Sequence, residues 1–80
     1  MIGDGDHAAA AIAQLHTVKA LAGRTVAAID FNGTYRVSLV AVKRAGKLIM
    51  PPGQDLLLYG EDLLIVIGQN DDVRRLAEVE

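Results

Sequence analysis

Two adjacent carboxylates, Glu61 and Asp62, are the first residues of this chain whose types and spacing suggest chemistry. Paired carboxylates perform general acid-base catalysis when they share a cleft with a partner group, and the sequence indicates no such partner. The pair follows Gly60 and precedes an apolar run at residues 63–67, which is typical of a solvated turn before a buried strand. We therefore expect a solvated turn here, and we expect the chain not to be an enzyme.

The acidic stretch Asp4-Gly5-Asp6 raises the question of a metal site. A calcium loop needs further oxygen ligands and a glutamate near its end, whereas alanines follow this stretch. His7 and His16 are too far apart in sequence to indicate a shared site, and a single His in a strand is typical of a half-exposed position. We expect no metal site.

Composition limits the remaining functions. The 80 residues predict one small domain, and 51% of them are hydrophobic while 4% are aromatic, so the core must consist of aliphatic side chains. The chain has no cysteine, which excludes disulfides and thiolate metal sites. The net charge is −2 without a basic stripe, so we expect no nucleic-acid partner. No apolar run approaches the ~20 residues that cross a bilayer.

Four short apolar segments predict strands, at residues 12–18, 37–43, 47–50 and 63–67. Residues 37–43 are apolar on both alternating faces, which predicts a central strand covered on each side. Ala45-Gly46 is a short connection to an antiparallel strand, and Pro51 ends that strand because it lacks a backbone N–H donor.

Two segments predict helices. Thr25 is expected to cap a short helix that ends near Gly33 in a left-handed turn. Asn70 is expected to cap the final helix. The apolar stripe expected on that helix consists of Val73, Leu76 and Ala77. A surface ion pair is expected between Asp71 and Arg75.

The only phenylalanine, Phe31, lies at the predicted end of the first helix beside Tyr35. This position indicates either a cap of the core or part of an exposed apolar patch, and we favour a patch that is buried in a homodimer, because a small domain with few core residues gains from a partner surface. The predicted dimer interface comprises Phe31, Tyr35 and Val37.

The order of short motifs resembles a known family. Residues 35–44 (YRVSLVAVKR), Gly46, residues 47–52 (KLIMPP) and residues 60–68 (GEDLLIVIG) resemble the C-terminal lobe of RCK (regulator of conductance of potassium) proteins, also called the TrkA C-terminal domain. The resemblance includes residues 21–26 (LAGRTV) and spans about residues 12–76. It implies an α+β fold with a small, mixed, mainly antiparallel sheet and two short helices, as a dimer. Residues 1–11 are then a flexible segment or linker, and residues 12–80 form the domain.

The resemblance also implies a function. It predicts a cytosolic regulatory domain that dimerises, senses a ligand and gates a membrane-embedded potassium channel or transporter, peripheral to the inner membrane through that partner. An alternative remains open, in which the domain serves assembly with another transporter and binds no small molecule.

Some members of this family bind cyclic di-AMP between two C-lobes, with an Arg two residues after the Asp that ends the first helix and an Asn just inside the next strand. Here those positions hold Asn32 and Ser38, while Arg36 could supply a displaced charge. The ligand-binding residues that the resemblance implies are Asn32, Arg36, Ser38 and Pro52. No cofactor is expected, and binding of a cyclic dinucleotide effector is expected to be weak or absent. From the residues alone, Arg36, Lys43 and Arg44 are typical of solvated charges at strand ends, and Pro51-Pro52-Gly53 is typical of a rigid turn.

Overall fold

A computed structural model describes residues 10–79 of the chain. Its strands are β1 (Ala10–His16), β2 (Val37–Arg44), β3 (Lys47–Ile49) and β4 (Leu63–Gln69); its helices are α1 (Val26–Ile29) and α2 (Asn70–Ala77), with a π-helical turn at Phe31–Tyr35. The acidic stretch Asp4-Gly5-Asp6 and His7 lie outside the described residues. So does the predicted flexible segment, except for Ala10 and Ala11, which belong to β1.

The four strands form one antiparallel sheet in the order β1-β4-β2-β3. In the β1–β4 ladder, Ala10 lies opposite Gln69 and His16 opposite Leu63. The prediction that β2 is a central strand is confirmed, since it pairs with β4 on one side and β3 on the other. The α+β class with a mainly antiparallel sheet is therefore confirmed.

A bulge in β2 breaks the alternation that the sequence predicts. The register against β4 shifts between Leu39 and Ala41, so that Val40 is exposed and Ala41 and Val42 are both buried. Ser38 on the same strand is also exposed. The expectation that both faces of this strand are covered is thus wrong, because Ser38 and Val40 lie on the face away from the core, while the bulge brings Val42 to the core face beside Ala41.

The β2–β3 hairpin turns through Ala45 and Gly46, as predicted. Both residues have positive φ, 51° and 79°, and Arg44 pairs with Lys47 across the turn. Two central residues with positive φ define a type I′ turn, whose twist matches that of the flanking strands. Glycine suits this geometry because it has no Cβ to oppose a positive φ.

One face of the sheet and the helices enclose the core. Leu64 and Val66 of β4 pack in the same buried cluster as Val73 and Leu76 of α2. The cluster's further buried members are Leu21, Val26, Ile29, Phe31, Val37, Val42 and Leu58. On the other face of β4 the side chains are only half-buried.

Helix α2 forms where it is predicted, but three details differ. Its N-cap position is Gln69, which makes no side-chain cap bond, and Asn70 already lies inside the first turn; the predicted Asn70 cap is therefore wrong. Ala77 is exposed, so Val73 and Leu76 are the apolar residues of the buried side of the helix, where Asp72 is buried as well. The ion pairs join residues three apart, Asp71 to Arg74 at 3.8 Å and Asp72 to Arg75 at 3.4 Å, in place of the expected pair of Asp71 with Arg75.

Helix α1 begins as predicted and ends differently. Thr25 Oγ1 accepts a hydrogen bond from the backbone N–H of Ala28 at 3.2 Å, which confirms the cap. The left-handed residue that ends the helix is Asp30, with φ 56°, and Gly33 does not adopt a positive φ. The prediction for Gly33 is wrong because the chain makes its left-handed turn three residues earlier.

Candidate functional site

A cleft of about 90 Å³ opens between α1, the π-helical turn, β2 and the loop that follows β3. The surface that the cleft exposes is mainly polar, and among the described residues that line it only Asp30 carries a charge. The lining residues are Val26, Asp30, Phe31, Asn32, Leu39, Pro52 and Gln54. This is the concave surface on which the candidate site rests.

The π-helical turn is built around Asp30. The Asp30 side chain accepts a hydrogen bond from the N–H of Gly33 at 3.2 Å, and the backbone carbonyl oxygen of Asp30 accepts one from the N–H of Thr34 at 2.8 Å. At the other end of the turn, Arg36 adopts a left-handed conformation with φ 62°, and its N–H donates to the carbonyl oxygen of Phe31. These bonds hold the Phe31 ring in the core and leave Asn32 exposed at the rim of the cleft.

Two of the four predicted ligand-binding residues, Asn32 and Pro52, line the cleft. Ser38 adjoins them, since its Oγ donates a hydrogen bond to Asn32 Oδ1 at 3.3 Å. With Oδ1 engaged in this way, the Asn32 amide N–H groups remain the donors that a bound group could use. Arg36 is not among the lining residues. The structure thus brings three of the predicted residues together, and their binding roles stay predictions.

The loop that supplies Pro52 and Gln54 is hydrogen-bonded to the first turn of α1. The Gln54 carbonyl oxygen accepts from the N–H of Ala27 at 2.8 Å, and the Leu56 carbonyl oxygen accepts from the N–H of Val26 at 3.0 Å. Val26, Asp30, Leu39 and Gln54 were not predicted as site residues. The Asp30 carboxylate had a local signal, an Asp three residues before a Gly, whereas Gln54 reaches the cleft only through pairing with a segment nearly thirty residues earlier.

The chemistry of the cleft follows from its lining. Val26, Phe31, Leu39 and Pro52 expose little apolar surface to the cleft, and the polar residues of the lining are Asp30, Asn32 and Gln54. Such a lining fits a small polar group that exchanges hydrogen bonds with it, and the described lining residues supply no cation for a phosphate. Within residues 10–79, no group of three or more His, Asp or Glu side chains is placed to hold a metal ion.

The predicted interface residues lie deeper than expected. Phe31 is 3% exposed and Val37 is 1% exposed, and both belong to the core cluster. Tyr35 is half-buried, with its ring centroid 6.4 Å from that of Phe31. The interpretation of Phe31 as part of an exposed patch is wrong, because its ring fills the core of its own chain. Among residues 10–79, the large exposed apolar side chains are Ile12, Val40, Leu48, Met50, Leu57 and Tyr59.

Arg44 and Asp62 form a bidentate ion pair that the sequence did not reveal. Arg44 Nε donates to Asp62 Oδ1 at 2.8 Å and Arg44 Nη2 donates to Asp62 Oδ2 at 2.7 Å. The Asp62 side chain is 1% exposed, so the expectation of a solvated turn is wrong for this carboxylate, as is that of a solvated charge for Arg44. The hydrogen bonds from Arg44, followed by the one from the Tyr59 N–H, lower the pKa of Asp62 against the opposing effect of burial, and the pKa of Arg44 is raised mainly by its bonds to Asp62.

The family model of the TrkA-C domain matches residues 11–79. The chain belongs to the TrkA-C domain family. A curated relative, the Ktr system potassium uptake protein C of Bacillus subtilis (strain 168), is 38% identical over 55 residues, which are 69% of this chain and 25% of that protein. The chain thus spans about a quarter of the length of this relative. The family match confirms the resemblance seen in the sequence.

Solved structures show the same fold. The RCK C domain of the potassium transport protein KtrA, in complex with cyclic di-AMP, has a TM-score of 0.81 at 28% identity, covering 86% of this chain and 81% of that one. The RCK domain of GsuK has a TM-score of 0.72 at 22% identity, covering 81% of this chain and 15% of that one. The RCK_C domain dimer of S. agalactiae BusR with cyclic di-AMP has a TM-score of 0.71 at 18% identity, covering 88% of this chain and 86% of that one. The last two likenesses show the fold alone.

Family membership also bears on catalysis and on the membrane. TrkA-C domains are regulatory and non-catalytic, which confirms that the domain is not an enzyme. Between Ala10 and Val79, no helix has the length and apolar character needed to cross a bilayer.

Proposed function

We propose that this domain dimerises, senses a small ligand in the cleft beside Asn32, and thereby regulates a potassium channel or transporter. The observation that carries the proposal is the position of the cleft: the TrkA-C fold brings Asn32, Pro52 and, through a hydrogen bond, Ser38 to one concave surface. The potassium uptake protein of B. subtilis, at 38% identity, supports the transport system. The domain acts at the cytoplasmic face of the membrane through its transporter partner, as a homodimer and without nucleic acid.

The mechanism is a shift between two dimer arrangements. A ligand changes such an equilibrium only by binding one arrangement more tightly than the other. The KtrA and BusR domains are described in complex with cyclic di-AMP, and the BusR domain as a dimer, which supports a ligand at or near a twofold axis here. Twofold symmetry presents Asn32 and its neighbours twice, and this suits a symmetric ligand.

The lining of the cleft sets the expected affinity for cyclic di-AMP. A phosphate needs a cation or convergent amides, and the one charged lining residue is the Asp30 carboxylate. Charge-assisted hydrogen bonds are worth roughly 1.5–3 kcal/mol each, so a site with Asn32 in place of an arginine should bind at least about tenfold more weakly.

Calorimetry with cyclic di-AMP tests the proposal on wild type, Asn32→Arg and Arg36→Ala. We expect weak binding by wild type, a gain of about tenfold or more in Asn32→Arg, and a loss in Arg36→Ala if that guanidinium reaches the ligand. Submicromolar binding by wild type that survives Arg36→Ala would show that the phosphate partner is assigned to the wrong residue. No binding by either wild type or Asn32→Arg would contradict sensing of this ligand and favour the assembly role.

The alternative, an assembly module that binds no small molecule, is favoured by one specific observation. None of the described residues that line the cleft carries a positive charge, so the cleft offers no charged partner to the phosphates of the cyclic di-AMP described with the KtrA and BusR domains. In that case the domain still dimerises, and the transporter responds to the dimer itself rather than to an effector.

A further inference from the structure

Asp62 forms hydrogen bonds with three other residues, Arg44, Tyr59 and Thr17. Its carboxylate accepts both hydrogen bonds of the Arg44 fork and a third, at 2.9 Å, from the N–H of Tyr59. Its carbonyl oxygen accepts from both the N–H and the Oγ1 of Thr17, each at 3.1 Å. A carboxylate that is almost fully buried and fully hydrogen-bonded in this way is a fixed point of the structure.

Arg44 also contacts the loop that precedes Asp62. Its Nη2 donates a further hydrogen bond, at 2.8 Å, to the carbonyl oxygen of Leu57, and its guanidinium lies 4.7 Å from the centroid of the Tyr59 ring. The end of β2 is therefore attached to the segment around Leu57 by a charge-assisted bond and by a cation–π contact.

The segment around Leu57 in turn holds one wall of the cleft. It runs antiparallel to the strand-like segment before α1: the N–H of Gly23 donates to the Leu58 carbonyl at 2.8 Å, and the N–H of Leu58 donates to the Arg24 carbonyl at 3.0 Å. The same short ladder continues to the bond between Ala27 and Gln54, and Gln54 lines the cleft. A continuous set of hydrogen bonds thus connects Arg44 with the cleft, although neither Arg44 nor Asp62 is among its lining residues.

We infer that Arg44 and Asp62 are positioning residues of the candidate site, which hold the loop at residues 51–58 against α1 and so fix the wall formed by Pro52 and Gln54. The inference rests on the proposed function for its regulatory meaning, since a ligand can use this wall only if the wall is held in place. The same attachment gives a route by which a change at the cleft reaches the centre of the sheet, because β2 carries Arg44 and Asp62 leads directly into β4.

Amide hydrogen exchange without ligand tests the positioning role in Arg44→Lys and Asp62→Asn. Lysine keeps the positive charge but cannot form the fork and the Leu57 bond together. We expect the Ala27 and Leu58 amides to exchange at least about tenfold faster than in wild type, with a smaller change for the amides of β4. Arg74→Lys is the matched control, because Arg74 pairs with the exposed Asp71. This variant should leave the exchange rates of the cleft-wall amides and of the β4 amides unchanged.

Equal acceleration of the cleft-wall and β4 amides would overturn the inference, because it would show that the ion pair supports only overall stability. If Asp62→Asn does not fold, Arg44→Lys still decides the question. Calorimetry with cyclic di-AMP on wild type and Arg44→Lys then tests the link to binding, with a loss of about tenfold expected. Absence of binding by both wild type and Asn32→Arg would contradict the proposed function alone, since the exchange result is obtained without ligand.

Discussion

The Asp30 side chain fills the space in which a side chain at position 33 would lie. Its Oδ1 accepts the N–H of Gly33 at 3.2 Å, and an added Cβ on Gly33 would overlap Asp30 Oδ2. The π-helical turn therefore requires glycine at this position for close approach and not for backbone conformation. Since Asp30 and Asn32 both line the cleft, this contact also shapes the candidate site.

Gly33→Ala should destabilise the domain by about 0.5–1.5 kcal/mol, because the new methyl group displaces the Asp30 carboxylate from its hydrogen bond with the N–H of residue 33. The measurement is the urea concentration at the midpoint of unfolding, compared between variants whose free energy of unfolding depends on urea concentration with the same slope. Gly60→Ala is the matched control, since a Cβ there meets nothing within 4 Å. Equal midpoints for the two variants would contradict the close-approach argument.

Substitutions at the N-termini of the two helices should differ in their effect on stability. Thr25→Ala removes the side-chain acceptor for the Ala28 N–H and should lower the free energy of unfolding by about 1 kcal/mol. Asn70→Ala should leave it nearly unchanged, because Asn70 lies inside the first turn of α2 and does not occupy the cap position. Chemical denaturation measures the free energy of unfolding of both variants. A loss of stability confined to Asn70→Ala would show that Asn70, and not Thr25, acts as a helix cap.

The ion pair predicts a specific dependence of stability on pH. Because the pKa of Asp62 is lower in the folded chain than in the unfolded chain, the unfolded state binds more protons as the pH falls. The stabilisation is therefore fully present at neutral pH and is lost progressively below about pH 4, as Asp62 becomes protonated.

Asp62→Asn leaves Arg44, whose side chain is 31% exposed, without its charged partner, and the loss of charge-assisted hydrogen bonds should lower the free energy of unfolding by about 1.5–3 kcal/mol at pH 7. The difference between wild type and this variant should shrink as the pH falls below about 4. Urea titrations between pH 7 and pH 3 measure it, with Asp71→Asn on the exposed face of α2 as the control. A difference that stays constant over this range would show that Asp62 titrates alike in both states.

Dimerisation predicts a mass by sedimentation of about twice the 8.5 kDa of the chain at micromolar concentration. Among the three predicted interface residues, Tyr35 alone is accessible enough to test, and Tyr35→Ala should shift the equilibrium toward monomer. Ile12→Ala, at an exposed position on β1, serves as the control for loss of apolar surface. A clean monomer of the wild-type chain at millimolar concentration would contradict the proposed homodimer.

Local patterns in the sequence determined the elements of this fold. Each of the four strands was predicted with bounds within two residues of those observed, because apolar runs, Ala45-Gly46 and Pro51 act over short distances. The Thr25 cap is likewise a local signal, as its side chain bonds an amide three residues away. The order of these motifs was also enough to indicate the family, which the match over residues 11–79 confirms.

Tertiary structure alone decided which polar residues are buried and what surrounds the cleft. Asp62 is buried because strand register brings Arg44, eighteen residues earlier, within bonding distance, and no pattern near Asp62 carries that information. Phe31 enters the core because Asp30 turns the chain with a left-handed residue, whereas the sequence pointed to Gly33. Gln54 reaches the cleft through its bond to Ala27. Burial and pairing of this kind depend on contacts between distant segments, so they are fixed only when the sheet, the helices and the loop pack together.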